Sequence, residues 1–360
     1  MDDKRLLWLW LYGVLGACNA KFLELLRRYD YIGEIYARRT SAELQQQLTP
    51  LEAKNARATT LDACRALLER CDAAGVRVVP YADALYPEQL RLTRVPPALL
   101  FVTGDAAALS ANAVAGVGSR AATAYGRDAV RRICAPLAEA GLLLVSGLAA
   151  GCDTAVHRAA LDAGGKTAAV LGTAVDATYP PQNRALRAEI EAHGAVVSEY
   201  PPGAPPRRGM FPQRNRIISG LSRGVIIFEA AKKSGTMITA SWALDDGREV
   251  FAVPGSIFSP TSEGTNHLIK LGASPATCAK DVLDAFGLAL PARHAEAAPV
   301  YSGDKQKILR ALADGERTAD ELLEAAALPA HELFAQLTEL EMDGAVEPLP
   351  GARYRRRPQI

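Results

Sequence analysis

The sequence predicts an α/β protein built around a Rossmann-like, doubly wound parallel sheet. Between about residues 98 and 289, short runs of four or five residues are apolar on both faces, and segments with helical periodicity separate them. Strands that alternate with helices need crossover connections, which produce a parallel sheet covered on both faces. The predicted strands are Ala113–Val117, Leu142–Val145, Ala168–Leu171, Ala195–Ser198, Gly224–Phe228 and Glu249–Val253, and the predicted helices between them include Asp128–Ala140, Asn183–His193 and Met237–Asp246.

The segment before the sheet, residues 1–80, is predicted to be a helical domain. Apolar positions recur at helical spacing in Lys21–Tyr29 and in Leu61–Cys71. The apolar stretch Leu6–Leu15 is shorter than the roughly 18 residues of a membrane span, and no clear cleavage site follows it. We therefore expect a buried helix there. The turn Gly13–Gly16 resembles that of a helix-hairpin-helix, or SAM-like, module.

The segment after the sheet predicts a linker and a winged helix. Residues 291–303 are rich in Ala, Pro and small residues, which is typical of a linker. Residues 304–360 contain three helical stretches followed by a short hairpin. The Rossmann-like domain is then expected to span residues 81–290. The predicted helices of the last domain are Lys305–Leu312, Thr318–Ala327 and Ala330–Asp343.

Composition excludes several classes of protein. Of the 360 residues, 49% are hydrophobic and 22% are charged, and the net charge is +1, so the chain is neither disordered nor polycationic overall. The six cysteines form no CxxC pair and no Cys/His spacing that indicates zinc. We expect reduced thiols in a cytoplasmic protein that has no membrane span and no metal.

Glycine-rich loops follow several predicted strands at the edge where ligands of such sheets bind. They are Gly116–Arg120, Ser146–Gly151, Gly172-Thr173 and Lys232–Thr236. Glycine lets backbone N–H groups approach an anion, so four such loops on one edge could hold several phosphates in a row. The first loop has Ala121 where a dinucleotide fingerprint has its third glycine, and the Walker pattern is absent, so no cofactor is predicted. Lys166 precedes its strand and belongs to the opposite edge.

The strongest local signal is charge. Residues 203–233 contain seven basic residues and one acidic residue, Glu229, in a protein whose net charge is +1. Phe211 lies among the arginines. Arginine binds phosphate bidentately, and an aromatic face can stack on a base. This segment therefore indicates a nucleic-acid strand as ligand.

Motifs across residues 80–285 resemble the DNA processing protein A (DprA, also called Smf) family. They are, in order, GVGSR, SGLAAGCDTAVHRAAL, GTAVDATYPPQNRAL, VVSEYPPG, FPQRNRIISGLSRGVIIFEA, KSGTMITASWALDDGREVFAVPG and GTNHLIKLGA. The resemblance implies a Rossmann-like domain that binds single-stranded DNA and dimerises. It also implies a protein that protects incoming strands and loads the RecA recombinase onto them during natural transformation, with no established catalysis and no cofactor.

The resemblance also assigns residues. The DNA-binding positions it implies are Gly118, Ser119 and Arg120 of the GSR turn, Asn183 and Arg184 of YPPQNR, Arg208, Phe211, Arg214, Asn215 and Arg216 around RNR, and Ser234, Gly235 and Thr236 of KSGT. For the dimer it implies a short helix carrying Leu268, Ile269 and Leu271. These three residues could instead pack on the sheet.

Two other functions stay open. A nucleotide-processing enzyme, such as a phosphoribohydrolase, is conceivable because Glu199 and Glu229 each follow a strand, as catalytic acids often do. Asp153 and His157 are four residues apart and could bind a metal, although a capping Asp and a packed His are the simpler interpretation.

A winged-helix regulator of duplex DNA is disfavoured, because the third helix of that domain (331–343) has four acidic residues and no Lys or Arg.

Overall fold

The computed structural model describes residues 4–207, 209–289 and 301–357. The chain divides near residue 291 into two compact units. The predicted linker 291–303 lies mostly outside the described residues, and its last residue already begins a helix.

The first unit opens with six helices. In α1 the apolar residues cover most of the helix surface, so it is buried among its neighbours and includes Trp8 and Trp10. Thr49 and Thr60 cap α5 and α6 with their hydroxyl groups. In the described part of the chain, no helix is both long and apolar enough to cross a membrane. The helices are α1 (Lys4–Leu15), α2 (Lys21–Arg28), α3 (Ile32–Ala37), α4 (Ala42–Gln45), α5 (Pro50–Ala58) and α6 (Leu61–Ala73).

A mixed sheet follows, and its order is β1-β2-β6-β5-β4-β3-β7-β8-β9. All pairs from β6 to β9 are parallel, whereas β2 pairs antiparallel with both β1 and β6. The six predicted strands are confirmed to within one residue at each end. The strands are β1 (Arg77–Pro80), β2 (Leu99–Gly104), β3 (Ala113–Val117), β4 (Leu143–Ser146), β5 (Thr167–Leu171), β6 (Ala195–Ser198), β7 (Gly224–Ile227), β8 (Glu249–Ala252) and β9 (Ser274–Pro275).

Helices cover both faces of this sheet. On one face, α8, α9, α10 and α14 pack against residues such as Val114 and Val196. On the other face, α11, α12 and α13 pack against residues such as Ala115 and Val197. The predicted doubly wound arrangement is thus confirmed. These helices are α7 (Glu88–Arg91), α8 (Ala124–Glu139), α9 (Cys152–Asp162), α10 (Arg184–His193), α11 (Met210–Gly220), α12 (Gly235–Asp245), α13 (Glu263–Lys270) and α14 (Ala279–Phe286).

The N-terminal helices pack against β1 and β2 of the sheet in a hydrophobic cluster that is separate from the central core. In β2, Phe101 faces the N-terminal helices and Leu100 faces the central core, as the period of two in a strand requires. The sheet also begins with β1, before the boundary predicted at residue 80. The structure therefore joins the N-terminal helices to the sheet within one compact unit.

The second unit consists of three helices and a three-stranded antiparallel sheet, as predicted for a winged helix. Leu322, Leu333 and Leu340 are among the residues of its small core. Thr318 forms a capping box with Glu321 at the start of the second helix. Its elements are α15 (Gly303–Ala311), β10 (Arg317–Thr318), α16 (Ala319–Ala326), α17 (Ala330–Met342), β11 (Val346–Leu349) and β12 (Arg353–Arg356).

Candidate nucleic-acid interface

An open cavity of about 350 Å³ lies at the carboxyl edge of the parallel strands. Segments that are distant in sequence line it, among them the loop after β3, the first turns of α11, the first turn of α12 and the segment around Ala149 and Asp153. The predicted site residues that the fold brings together here are Gly118, Ser119, Arg120, Phe211, Arg214, Asn215, Ser234, Gly235 and Thr236.

Glycines allow the loops around this cavity to approach one another. A β-carbon on Gly118 would lie 2.5 Å from the sulfur of Cys152, and one on Gly151 would lie 2.3 Å from the carbonyl oxygen of Ser119. Gly151 also has φ +80°, a conformation that side chains disfavour. The GSR turn is thus held directly against the first turn of α9.

Arg214 forms part of the cavity wall. It is 5% exposed and donates from Nη1 to the carbonyl oxygens of Gly147, at 2.6 Å, and Val170. Burial lowers the pKa of Arg214 to about 10, an effect that nearby Asp153 opposes and Arg120 reinforces. The guanidinium therefore stays charged at neutral pH, in an environment that a phosphate would stabilise.

The N-terminus of α12 also faces the cavity. Ser234 precedes the helix without capping it, and among the described residues its buried hydroxyl has no hydrogen-bond partner. Thr236 donates to the carbonyl oxygen of Gly118 at 3.2 Å, and the amide of Asn215 donates to that of Gly235 at 3.3 Å. These bonds hold the helix start beside the GSR turn, where its free N–H groups and dipole favour an anion.

Two aromatic rings stand at the rim. Phe211 is half-buried, so it is not the core residue that its hydrophobicity would also allow. Its ring centroid lies 5.5 Å from that of Tyr179, which is 53% exposed, and the guanidinium carbon of Arg120 lies 5.9 Å from it. Gly172 leaves room for Phe211, because a β-carbon there would lie 2.8 Å from the ring. Sequence reasoning missed Tyr179, although it stands in the same YPPQNR motif.

Arg216 does not lie where the sequence led us to expect it. It is 2% exposed, and its Nη2 lies 2.7 Å from both carboxylate oxygens of Glu199. The backbone N–H of Cys18 donates to the same carboxylate at 2.9 Å. Arg216 therefore ties α11 to the sheet and to the N-terminal helices, because a buried arginine needs a compensating charge.

Other predicted contacts lie outside the cavity. The amide nitrogen of Asn183 donates to the carbonyl oxygen of Leu148 and to the hydroxyl of Thr154, both at 2.9 Å, so it supports the loop after β4 rather than a ligand. Arg184 is exposed and lines a different cavity, together with Arg187. Arg208 lies outside the described residues.

The acidic residues on which the enzyme alternative depends have structural partners. Glu229 accepts bonds from the backbone N–H of Thr123 at 2.9 Å and from its hydroxyl at 2.6 Å, which fastens the start of α8. Asp153 lines the cavity but is 6% exposed; burial raises its pKa, which Arg214 opposes. The Nδ1 atom of His157 lies 2.7 Å from the hydroxyl of Thr167. In the residues that the structure describes, no cluster of acidic, His and Cys side chains could hold a metal ion.

The predicted dimer residues divide between core and surface. Leu268 is 4% exposed and belongs to the central core, and Ile269 is half-buried against it. Leu271 is 71% exposed. Leu244, at the end of α12 on the same face of the sheet, is 62% exposed. Of the three predicted residues, Leu268 therefore packs on the sheet.

Comparison with known proteins agrees with the geometry. Residues 77–287 match the family model of DNA recombination-mediator protein A, and residues 291–352 match that of the DprA winged helix domain. The chain is 42% identical to protein Smf of Escherichia coli over 291 residues, which cover 78% of this chain and 77% of that protein. It is 48% identical to the DNA processing protein DprA of Streptococcus pneumoniae over 204 residues, which cover 57% of this chain and 72% of that protein.

Two solved structures are similar to this one. The X-ray structure of DprA from S. pneumoniae superposes with a TM-score of 0.70 at 35% identity and covers 79% of this chain and 98% of that one. The Helicobacter pylori DNA processing protein A, whose structure describes a single-stranded DNA binding mode, has a TM-score of 0.52 at 31% identity, with 56% and 92% covered. With its family models matched in order along the chain, this protein belongs to the DNA recombination-mediator protein A (DprA/Smf) family.

Proposed function

We propose that the protein binds single-stranded DNA in the cavity at the carboxyl edge of its sheet and acts as a recombination mediator. The observation that carries this proposal is the convergence of the GSR turn, Arg214 and the N-terminus of α12 on one open cavity. Each of the three favours a phosphate. The rim rings of Phe211 and Tyr179 add surfaces on which bases can stack.

The geometry favours a strand over a duplex or a free nucleotide. Stacking on Phe211 needs an unpaired base, whereas bases in a duplex are stacked on one another. The cavity opens to solvent, so a polymer can enter and leave it. The relative from H. pylori whose structure describes single-stranded DNA binding supports the same ligand class.

The proposed mediator role includes contacts with two proteins, a RecA-type recombinase and a second copy of this chain. As a mediator, the chain would deliver a RecA-type recombinase to the strand that it holds, in the cytoplasm, where incoming strands meet that recombinase. A homodimer formed through the exposed end of α13, around Leu271 and Ile269, would place two strand sites on one particle. The exposed Leu244 lies on the same face of the sheet.

The first experiment compares ligands. Fluorescence anisotropy with labelled oligo-dT, the same length of duplex and a single nucleotide should show that the single strand binds most tightly, with an affinity that falls as salt rises. Equal affinity for duplex and single strand would contradict the proposal. Assembly of RecA on strands coated by a single-strand-binding protein, measured with and without this protein, tests the mediator step separately.

The enzyme alternative has one residue in its favour. Asp153 is the acidic residue that lines the cavity within the described part of the chain. Incubating the protein with nucleoside 5′-monophosphates and measuring release of the free base tests it directly. We expect no release. Release that Asp153→Asn abolishes would instead establish a nucleotide hydrolase.

A further inference from the structure

A second basic cleft adjoins the cavity. Apart from Arg120, its lining residues have no role in the strand binding proposed above. It has a volume of about 480 Å³ and lies between α8 and α9, under the loop 120–122. Four arginines line it, against one acidic residue, Asp162. They are Arg120, Arg127, Arg131 and Arg158.

Arg120 belongs to both openings. It lines the cavity at the sheet edge and also this second cleft. The two openings therefore share one arginine, at which an anionic polymer could pass from the first to the second. Arg127 and Arg131 extend the row of positive charges from Arg120 along α8. They are four residues apart on one face of this helix, about 6 Å along its axis.

The charges of Arg127 and Arg131 remain available to a ligand. Arg127 is exposed and donates from Nη1 to the carbonyl oxygen of Ala122 at 2.7 Å, a neutral acceptor that does not cancel its charge. Arg131 is also exposed, and its 3.7 Å approach to Asp128 is long for an ion pair. Arg158 forms a bidentate ion pair with Glu189, and both side chains are more than 40% exposed, so water screens the pair and Arg158 contributes less charge to the cleft than Arg127 and Arg131.

We propose that this cleft binds the sugar-phosphate backbone of the same DNA strand, on the side of Arg120 away from Phe211. The inference rests on the proposed function, since it extends the strand beyond the first cavity. The cleft offers arginines without an aromatic lining, so it would contact phosphates and leave the bases free. A strand would then need a minimum length to use both sites.

The experiment compares two strand lengths in two variants. Arg127→Ala with Arg131→Ala removes two charges from the cleft. Arg77→Ala with Lys166→Ala removes two exposed charges outside both openings and serves as the control. Anisotropy is measured with oligo-dT of about 5 and about 15 nucleotides. The cleft variant should bind the short strand as the parent does and the long strand several-fold more weakly.

Two further binding measurements test the cleft: the dependence of affinity on salt, and the affinity for a strand in which some phosphates are replaced by uncharged linkages. For the long strand, the slope of log affinity against log salt should fall by about 0.7 for each phosphate that the variant no longer neutralises. A long strand with methylphosphonate linkages over half its length carries fewer charges for the cleft to bind, so parent and variant should then bind it equally. Equal effects on both lengths, or effects matched by the control, would overturn the cleft proposal while leaving the first cavity in place. A parent that binds no single strand would overturn the proposed function itself.

Discussion

Arg216 and Glu199 form an ion pair that is almost entirely removed from solvent. Their side chains are 2% and 3% exposed, and Nη2 of the arginine is 2.7 Å from both carboxylate oxygens. Because the backbone of Cys18 also donates to this carboxylate, the pair joins α11, the end of β6 and the segment after α1. The arginine of an RNR motif that suggests DNA contact therefore has an architectural role.

Arg216→Ala should lower the free energy of unfolding by about 3–5 kcal/mol, because it leaves Glu199 as an uncompensated buried charge. The affinity of the folded protein for oligo-dT should stay close to that of the parent. Urea unfolding and anisotropy on the same preparation measure the two effects. Replacing both partners, Arg216→Met with Glu199→Leu, should recover much of the stability. Normal stability with a large drop in affinity would place Arg216 at the DNA after all.

Arg120→Ala should weaken binding of single strands of any sequence, because the exposed guanidinium at the GSR turn is expected to contact a phosphate. The slope of log affinity against log salt should fall by about 0.7, the value for one phosphate of a single strand. Titrations at several salt concentrations measure it. Lys166→Ala, a charge change at the opposite edge of the sheet, is the control and should leave the slope unchanged.

Phe211→Ala should cost roughly 1–3 kcal/mol of binding if the ring stacks on a base. Because Phe211 is half-buried and not in the core, the loss of stability should stay well below the about 3–5 kcal/mol of a buried phenylalanine. Tyr179→Ala should weaken binding too, and a double-mutant cycle should show coupling, since the ring centroids are 5.5 Å apart. A large drop in melting temperature with full affinity would remove Phe211 from the site.

Stability should depend on pH through His157. Burial and the nearby Arg214 lower the pKa of this histidine to about 3, so it is neutral in the folded protein, whereas the unfolded chain binds a proton near pH 6.5. The contribution of the buried, neutral His157 to the stability of the folded protein is therefore fully present above pH 6.5. As the pH falls from 6.5 towards 3, the unfolding free energy should drop by about 1.4 kcal/mol per pH unit.

The measurement for His157 is a comparison with a variant that cannot titrate there. Urea unfolding of the parent and of His157→Gln between pH 7.5 and about pH 5 gives the difference in slope. The parent should lose stability faster on acidification, even if the variant is less stable at neutral pH. Parallel pH profiles would show that His157 is not held neutral by its burial beside Thr167.

Leu271→Arg should convert the proposed dimer into a folded monomer. The side chain is 71% exposed, so the change costs little in the monomer but places a charge in the proposed two-fold interface. Binding of long strands should weaken because avidity disappears, and binding of short strands should not. Ile269→Arg should act in the same direction with an added loss of stability, because that side chain is half-buried. If light scattering shows that the variant stays dimeric, the interface lies elsewhere, and a parent that is monomeric would contradict the dimer itself.

Much of the sheet was predictable because its parallel strands are apolar on both faces. The three strands at the ends of the sheet, β1, β2 and β9, were not predicted. β1 and β2 are antiparallel strands after a helical segment and give no crossover pattern, and β9 has only two residues. The cavity loops were predictable from the rule that ligands bind at the carboxyl ends of strands. Asp153 and Tyr179 were not assigned to the cavity, because only the folded loops bring them to its wall and rim.

The sequence alone determined the number and type of central strands, the glycine loops, the local excess of positive charge and the family. It could not determine which of the arginines in that basic segment face a ligand. Arg214 and Arg216 are two residues apart on α11, and two residues turn a helix by about 200°, so they point in opposite directions. The packing of α11 on one face of the sheet, beside α12, decides the outcome. It places Arg214 at the cavity wall and buries Arg216 against Glu199, because a charge inside the protein is stable only beside its counter-charge.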